Sequence, residues 1–213
     1  MSDITLRALE ILKEVSLVVS EDTRETDKIL KKYDIQKAQL SYRDQNHDFM
    51  LPKIIETLEQ GNSVALISDS GTPVISDPGY KLVRDLVKKA FEIVSIPGPT
   101  ALISALVSSG FPTDKFSFLG FLPKSKNDRK KILHKYGEMD ATVIIYESPF
   151  RISKLLEEIN ETLGDRTVCL ASELTKMHEK FIRDKVSKLA SELKGQKLKG
   201  EFVVLIAKEG FVL

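Results

Sequence analysis

Val64-Ala65-Leu66-Ile67-Ser68-Asp69-Ser70-Gly71-Thr72-Pro73-Val74-Ile75-Ser76-Asp77-Pro78-Gly79-Tyr80 is the stretch on which the fold of this chain turns. Its first four residues form a short apolar run of the kind that a buried parallel strand shows. From Tyr80 to Lys89, Leu82, Val83, Leu86 and Val87 recur at helical spacing. The loop Ser68–Gly79 interrupts this strand-to-helix pattern with Gly71, Pro73, Pro78 and Gly79, residues that fix turns and leave backbone amides and carbonyls open to a ligand. In open α/β sheets, ligands bind at loops following the carboxyl ends of strands. The end of the loop also suits a plainer role, with Asp77 as N-cap and Pro78 at the first helical position.

Working outward, a helix capped by Ser2 or Asp3 runs to Glu14, followed by a strand at Val15–Val19, a helix at Thr23–Lys32 and a helix at Met50–Gln60 stopped by Gly61. After Tyr80–Lys89, a strand at Phe91–Ile96 and a helix at Pro99–Val107 continue the alternation. This order argues a parallel sheet with crossover helices. Around Gly110-Phe111-Pro112 the pattern changes. Strands are expected at Phe116–Leu119, Thr142–Tyr146, Thr167–Ser172 and Glu201–Ala207, and helices at Lys126–Tyr136, Phe150–Thr162 and Ser187–Lys194. A boundary near residues 110–115 divides the chain into α/β halves, 1–112 and 113–213.

Composition narrows the function class. With 32 Lys+Arg against 31 Asp+Glu, the formal charge is only +1, so a nucleic-acid partner must be held by a local basic patch. The single cysteine, Cys169, excludes an intrachain disulfide and lies in an apolar run expected in the core. His47, His134 and His178 make no short metal-ligand motif, so no metal is expected. No apolar run approaches the ~20 residues of a membrane span, and Met1-Ser2-Asp3 opens no signal-peptide pattern, which makes the cytoplasm the expected location.

Further stretches join the loop: Ser20-Glu21-Asp22-Thr23-Arg24, Ile96-Pro97-Gly98-Pro99-Thr100-Ala101, Gly120-Phe121-Leu122-Pro123, Tyr146-Glu147-Ser148-Pro149-Phe150-Arg151, Glu173-Leu174-Thr175-Lys176-Met177-His178-Glu179 and Lys199-Gly200-Glu201-Phe202. In this order and spacing they resemble the tetrapyrrole-methylase superfamily, and within it the bacterial 16S rRNA (cytidine-2′-O)-methyltransferase branch, over essentially the whole chain. The resemblance implies a two-domain α/β fold of the class III methyltransferase type, with S-adenosylmethionine in a cleft between the domains, and a homodimer. By motif it assigns the cofactor to Asp69, Gly71, Thr72, Pro73, Ile75, Thr100, Ala101, Tyr146 and Gly200. The family opens with one further strand and a T-P-I-G-N-L-type loop ahead of the segment matching Asp3-Ile4-Thr5-Leu6, and this sequence lacks both. An impaired RNA-binding remnant is therefore carried as an alternative, beside methylation of a tetrapyrrole.

Transfer of a methyl group to a ribose 2′-hydroxyl needs the oxygen held in line and its proton removed. The candidate bases are Glu21, Asp22 and Glu147, with Lys176 and His178 behind them. Asp22 equally suits the N-cap of the helix starting at Thr23, and Glu147 a helix start before Ser148-Pro149. The 16S rRNA or small ribosomal subunit implied as partner would meet Arg24, Arg43, Lys124, Lys126, Arg129, Lys130, Arg151 and Lys176. Lys126 to Lys131 reads equally well as a solvated helix face.

Overall fold

A computed structural model describes residues Ser2–Leu213; Met1, with which the expected N-terminal half begins, lies outside the described residues. The chain divides into two compact units, one ending at Thr100 and the other spanning Ala101–Leu213. The sequence places the boundary near residues 110–115, and the intervening helix is the reason for the difference, as its packing below shows. No helix among the described residues is long and apolar enough to cross a membrane.

In the N-terminal unit, β1 (Leu17–Ser20), β2 (Ala38–Ser41) and β3 (Val64–Ile67) form a parallel sheet in the order β2-β1-β3. Helices α1 (Leu6–Glu14), α2 (Thr23–Lys32), α3 (His47–Glu59) and α4 (Tyr80–Lys88) cover it. Successive β1 side chains point to opposite faces: Leu17 and Val19 pack with Ile54, Leu82 and Leu86, while Val18 packs with Leu12 and Leu30. Burial on both faces explains why central β1 reads as a largely apolar run.

Three sequence expectations fail here. Thr5, not Ser2 or Asp3, caps α1, its Oγ1 accepting from the Ala8 amide at 3.2 Å. Phe91–Ile96 is not a strand: it joins no ladder, and Ile93 and Val94 are exposed. Apolar β-branched composition records a preference, while a strand also needs a paired neighbour. Asp77-Pro78 does not open α4, because Gly79 is the N-cap and Val83 N–H donates to its carbonyl. Gly79 stands at φ +126°, and a Cβ there would come within 2.7 Å of Leu66 Cδ2, so only glycine fits.

The C-terminal unit holds α5 (Ala101–Ser109), β4 (Phe116–Phe121), α6 (Lys126–Gly137), β5 (Thr142–Glu147), α7 (Ile152–Leu163), β6 (Thr167–Ser172), β7 (Lys180–Lys185), α8 (Val186–Leu193) and β8 (Phe202–Ile206). Its sheet runs β4-β5-β8-β6-β7, with β4 and β5 parallel and the other pairs antiparallel. Val143, Ile145, Val168, Leu170, Val204 and Ile206 face a core shared with α6, α7 and α8. The alternate residues Ile144, Cys169, Ala171, Val203 and Leu205 face Leu102, Ala105 and Leu106 of α5. That packing places α5 with the C-terminal sheet, and it buries Cys169, whose thiol is pushed up to about 11 by burial.

Candidate active site

Three parallel strands of the N-terminal unit end together. Ser20 pairs in register with Ser41 and with Ile67, so Glu21-Asp22, Tyr42-Arg43-Asp44 and Ser68-Asp69 emerge at one edge. The chain leaves central β1 for β2 on one side and returns to β3 on the other, the strand reversal at which open α/β sheets bind ligands. The Asp22 amide donates to Asp69 Oδ1 at 3.2 Å, joining the β1 and β3 loops. Ser41 Oγ donates to the Glu21 carbonyl at 3.0 Å, and Arg43 Nε lies 3.9 Å from Glu21 Oε1.

The Ser68–Gly79 loop sits on this edge and is braced from within. Ser68 Oγ lies 3.2 Å from the Ser70 carbonyl and 3.1 Å from that of Gly71. Thr72 Oγ1 donates to the Pro99 carbonyl at 2.9 Å, and Thr5 Oγ1 donates to that of Pro97 at 3.3 Å. The second glycine-proline turn is thereby tied to the first. Val74 and Ser76 take φ of +75° and +65°. A branched residue in that region is an outlier that costs about 1–3 kcal/mol and clusters at functional sites. Between Ser76 and Pro78, Asp77 is partly buried. Burial, with Glu21 and Asp69 adding like charge, pushes its carboxyl up to about 6.

The expected bases separate on inspection. Asp22 is the N-cap of α2: Oδ1 accepts from the Arg24 amide at 2.9 Å and both oxygens hold the Arg24 guanidinium. Those bonds hold its carboxyl well below the usual range, which makes it a poor proton acceptor. Glu21 is partly exposed on the shared edge. Glu147 is buried at the end of β5, where Oε1 accepts from the Ser148 amide and Arg151 Nε, both at 2.6 Å. It does not open α7, whose N-cap is Arg151.

Of the expected cofactor residues, Asp69 and Gly71 are exposed, Thr72, Pro73 and Thr100 are half-buried, and Ile75 is exposed. Tyr146 and Ala101 pack against the same core of the C-terminal unit, and Tyr146 Oη accepts from the Leu102 amide at 3.0 Å in the first turn of α5. Its ring packs edge-on to Phe118 and Phe121. Gly200, at φ +91°, has a structural reason of its own: a Cβ would come within 2.5 Å of Glu173 Oε1. That carboxylate accepts from the Glu201 amide at 2.9 Å and from Lys176 Nζ at 3.1 Å, closing the Glu173–Glu179 turn.

The basic residues divide in the same way. Arg129 is buried, so its expected contact with RNA is corrected: its guanidinium holds Glu158 through two bonds of 2.7 and 2.6 Å and donates to the Pro123 and Lys124 carbonyls. Lys126 and Lys130 reach Glu161 at 3.4 and 2.8 Å from the solvent side of α6, and Lys176 bridges Glu173 and Glu201. Arg24, Arg43 and Lys124 are exposed, and Arg151 is half-buried. The helical periodicity of Lys126–Tyr136 would have flagged Arg129, which lies one turn from buried Leu133. Asp77 carried no such signal, since its environment joins its own loop to Glu21 at the end of β1. Among the described residues, no group of three or more His, Cys, Asp or Glu is placed to hold a metal ion.

Comparison with known proteins accords with this geometry. The family model for Tetrapyrrole (Corrin/Porphyrin) Methylases matches residues 1–190. The chain is 44% identical over 207 residues to ribosomal RNA small subunit methyltransferase I of Thermotoga maritima, covering 97% of this chain and 93% of that protein. The protein of the same name from Bacillus subtilis is 38% identical, covering 97% of this chain and 70% of the relative. Among solved structures, the methyltransferase CobJ superposes with a TM-score of 0.73 at 18% identity, covering 100% of this chain and 91% of that one. The cobalt precorrin-4 methyltransferase CbiF gives 0.69 at 15% identity, covering 97% and 89%. These two share the fold, and the family match with the closer relatives settles membership: the chain belongs to the tetrapyrrole (corrin/porphyrin) methylase family.

Proposed function

We propose that this protein is an S-adenosylmethionine-dependent methyltransferase acting in the cytoplasm, as a homodimer, on the 2′-hydroxyl of a cytidine ribose in 16S rRNA of the small ribosomal subunit. The observation that carries the reading is the 44% identity, over nearly the whole of both chains, to a relative named ribosomal RNA small subunit methyltransferase I. When bound, S-adenosylmethionine supplies a methyl carbon activated by its sulfonium. The loops suit such a ligand: Gly71 turns the backbone at φ +77°, and exposed Asp69 and the loop carbonyls offer acceptors to a cation. Asp69, Gly71, Thr72, Pro73, Ile75 and Thr100 of the N-terminal unit, and Ala101, Tyr146 and Gly200 of the C-terminal unit, are assigned to it.

A hydroxyl is a weak nucleophile, so a carboxylate must take its proton as the oxygen gains the methyl group. Of the acids at the strand ends, Asp77 is the one whose environment matches a proton acceptor near neutral pH, with Glu21 beside it. Arg24, Arg43, Lys124, Lys126, Lys130, Arg151 and Lys176 are assigned to phosphates. Purified protein is expected to transfer labelled methyl groups to small ribosomal subunits lacking the modification. Transfer to a corrinoid precursor in place of RNA would replace this reading with the family's tetrapyrrole chemistry.

A further inference from the structure

The rim of the C-terminal unit where β4 and β5 end carries two exposed phenylalanines, Phe121 and Phe150, that have no part in the assignments above. The two strands are parallel and pair Phe121 with Tyr146, so Leu122-Pro123-Lys124 and Ser148-Pro149-Phe150-Arg151 leave the sheet side by side. Arginines pin both loops. Arg151 Nη2 donates to the Leu122 carbonyl at 3.1 Å while its Nε holds Glu147, and buried Arg129 donates to the carbonyls of Pro123 and Lys124 at 3.0 and 2.6 Å. On this braced frame Phe150 is 92% exposed and Phe121 59% exposed. Large apolar side chains held in water on a fixed support mark a binding surface.

The surrounding charges indicate what binds. Lys124 is exposed on the loop that follows Phe121, Lys126 is exposed in the first turn of α6, and half-buried Arg151 ties the two loops together. Lysine is depleted from protein–protein interfaces, whereas aromatic faces interleaved with cations are what binds single-stranded nucleic acid. A duplex offers no base faces for stacking, so the fitting partner is unpaired. We propose that the Phe121–Phe150 rim is a stacking platform for unpaired nucleobases of the RNA substrate, with Lys124 and Arg151 taking the flanking phosphates; the proposal rests on the rRNA reading above.

The test is fluorescence anisotropy of a labelled oligocytidine of about 12 nucleotides, a length within the range such grooves accommodate, with the full chain at several salt concentrations. Base–aromatic stacking predicts that Phe150→Ala and Phe150→Leu each weaken binding by about 5- to 100-fold, while Phe150→Tyr stays within about twofold. Lys124→Gln should lower the log–log salt slope by about 0.7. Phe150 contributes almost nothing to the core, so these variants fold. Unchanged affinity in the Ala variant overturns the proposal, as does a Leu variant that binds like wild type, which would point to an apolar protein contact. Reduced sedimentation with intact RNA affinity overturns it too, in favour of a contact between copies. Methylation of subunits by wild type, alongside unchanged KM in Phe150→Ala, would retire the platform alone. Phe150-dependent binding without any subunit methylation would retire the rRNA-methylation reading and leave the surface standing.

Discussion

Replacing Arg129 with methionine tests whether its charge serves the fold or the substrate. Its side chain is 4% exposed and that of Glu158 is 1% exposed, and the pair joins α6 to α7. Methionine fills much of the same space but leaves the Glu158 carboxylate buried without a counter-charge and the Pro123 and Lys124 carbonyls without that donor. Breaking a buried pair from one side costs about 3–5 kcal/mol. At an m-value of about 1–3 kcal/mol/M in urea, the midpoint should fall by about 1–5 M. Urea titration followed by hydrogen exchange of the α6 and α7 amides reads the C-terminal unit directly. The double variant Arg129→Met/Glu158→Leu should regain most of the loss, because an apolar replacement of a whole buried pair is often neutral or stabilising. A phosphate-binding arginine would behave in the opposite way, with stability changed by less than about 0.5 kcal/mol and the salt dependence of RNA binding reduced. A loss below about 1 kcal/mol, or a double variant no better than the single, would refute the structural role.

Asp77 gives the pH prediction. Its folded-state value near 6 lies above the ordinary carboxylate value, so its contribution to stability is greatest below about pH 4 and is lost as pH rises through about 6. Asp77→Asn should flatten that decline in thermal unfolding between those limits. As the proton acceptor, the same residue predicts a methyl-transfer rate that rises through about pH 6 and falls at least about 100-fold in the Asn variant at neutral pH. A variant of wild-type rate excludes Asp77 from the chemistry. Gly200→Ala meets both a positive φ and the Glu173 carboxylate, and should destabilise by about 1–3 kcal/mol; urea unfolding equal to wild type would mean that the Glu173–Glu179 turn relaxes freely.

The sequence was most legible where residues are buried on both faces. Thr167–Ser172 reads as a strand because every side chain there is apolar or small, which a doubly covered sheet requires; Val64–Ile67, half-buried at its sheet's edge, reads as one because all four residues are apolar. Ala38–Ser41 and Lys180–Lys185, each at a sheet edge, escaped notice because their polar and charged side chains mask the period. Phe91–Ile96 misled for the converse reason, having strand composition without a pairing partner. At the site, Gly and Pro announced both loops, because backbone shape is written locally. The duties of charged groups were not. Asp22 as a cap, Arg129 as a buried clamp and Asp77 as a raised carboxyl each depend on which side chain the fold brings alongside, and a helix rich in basic residues looks the same whether one of them points inward or all face water.

The most direct measurement is mass spectrometry of nuclease-digested 16S rRNA from small subunits incubated with this protein and isotopically labelled S-adenosylmethionine. The account predicts one labelled methyl group on a cytidine ribose oxygen, and none with heat-denatured protein. Label on a nucleobase, or RNA left unlabelled while a corrinoid precursor takes the methyl group, would contradict it.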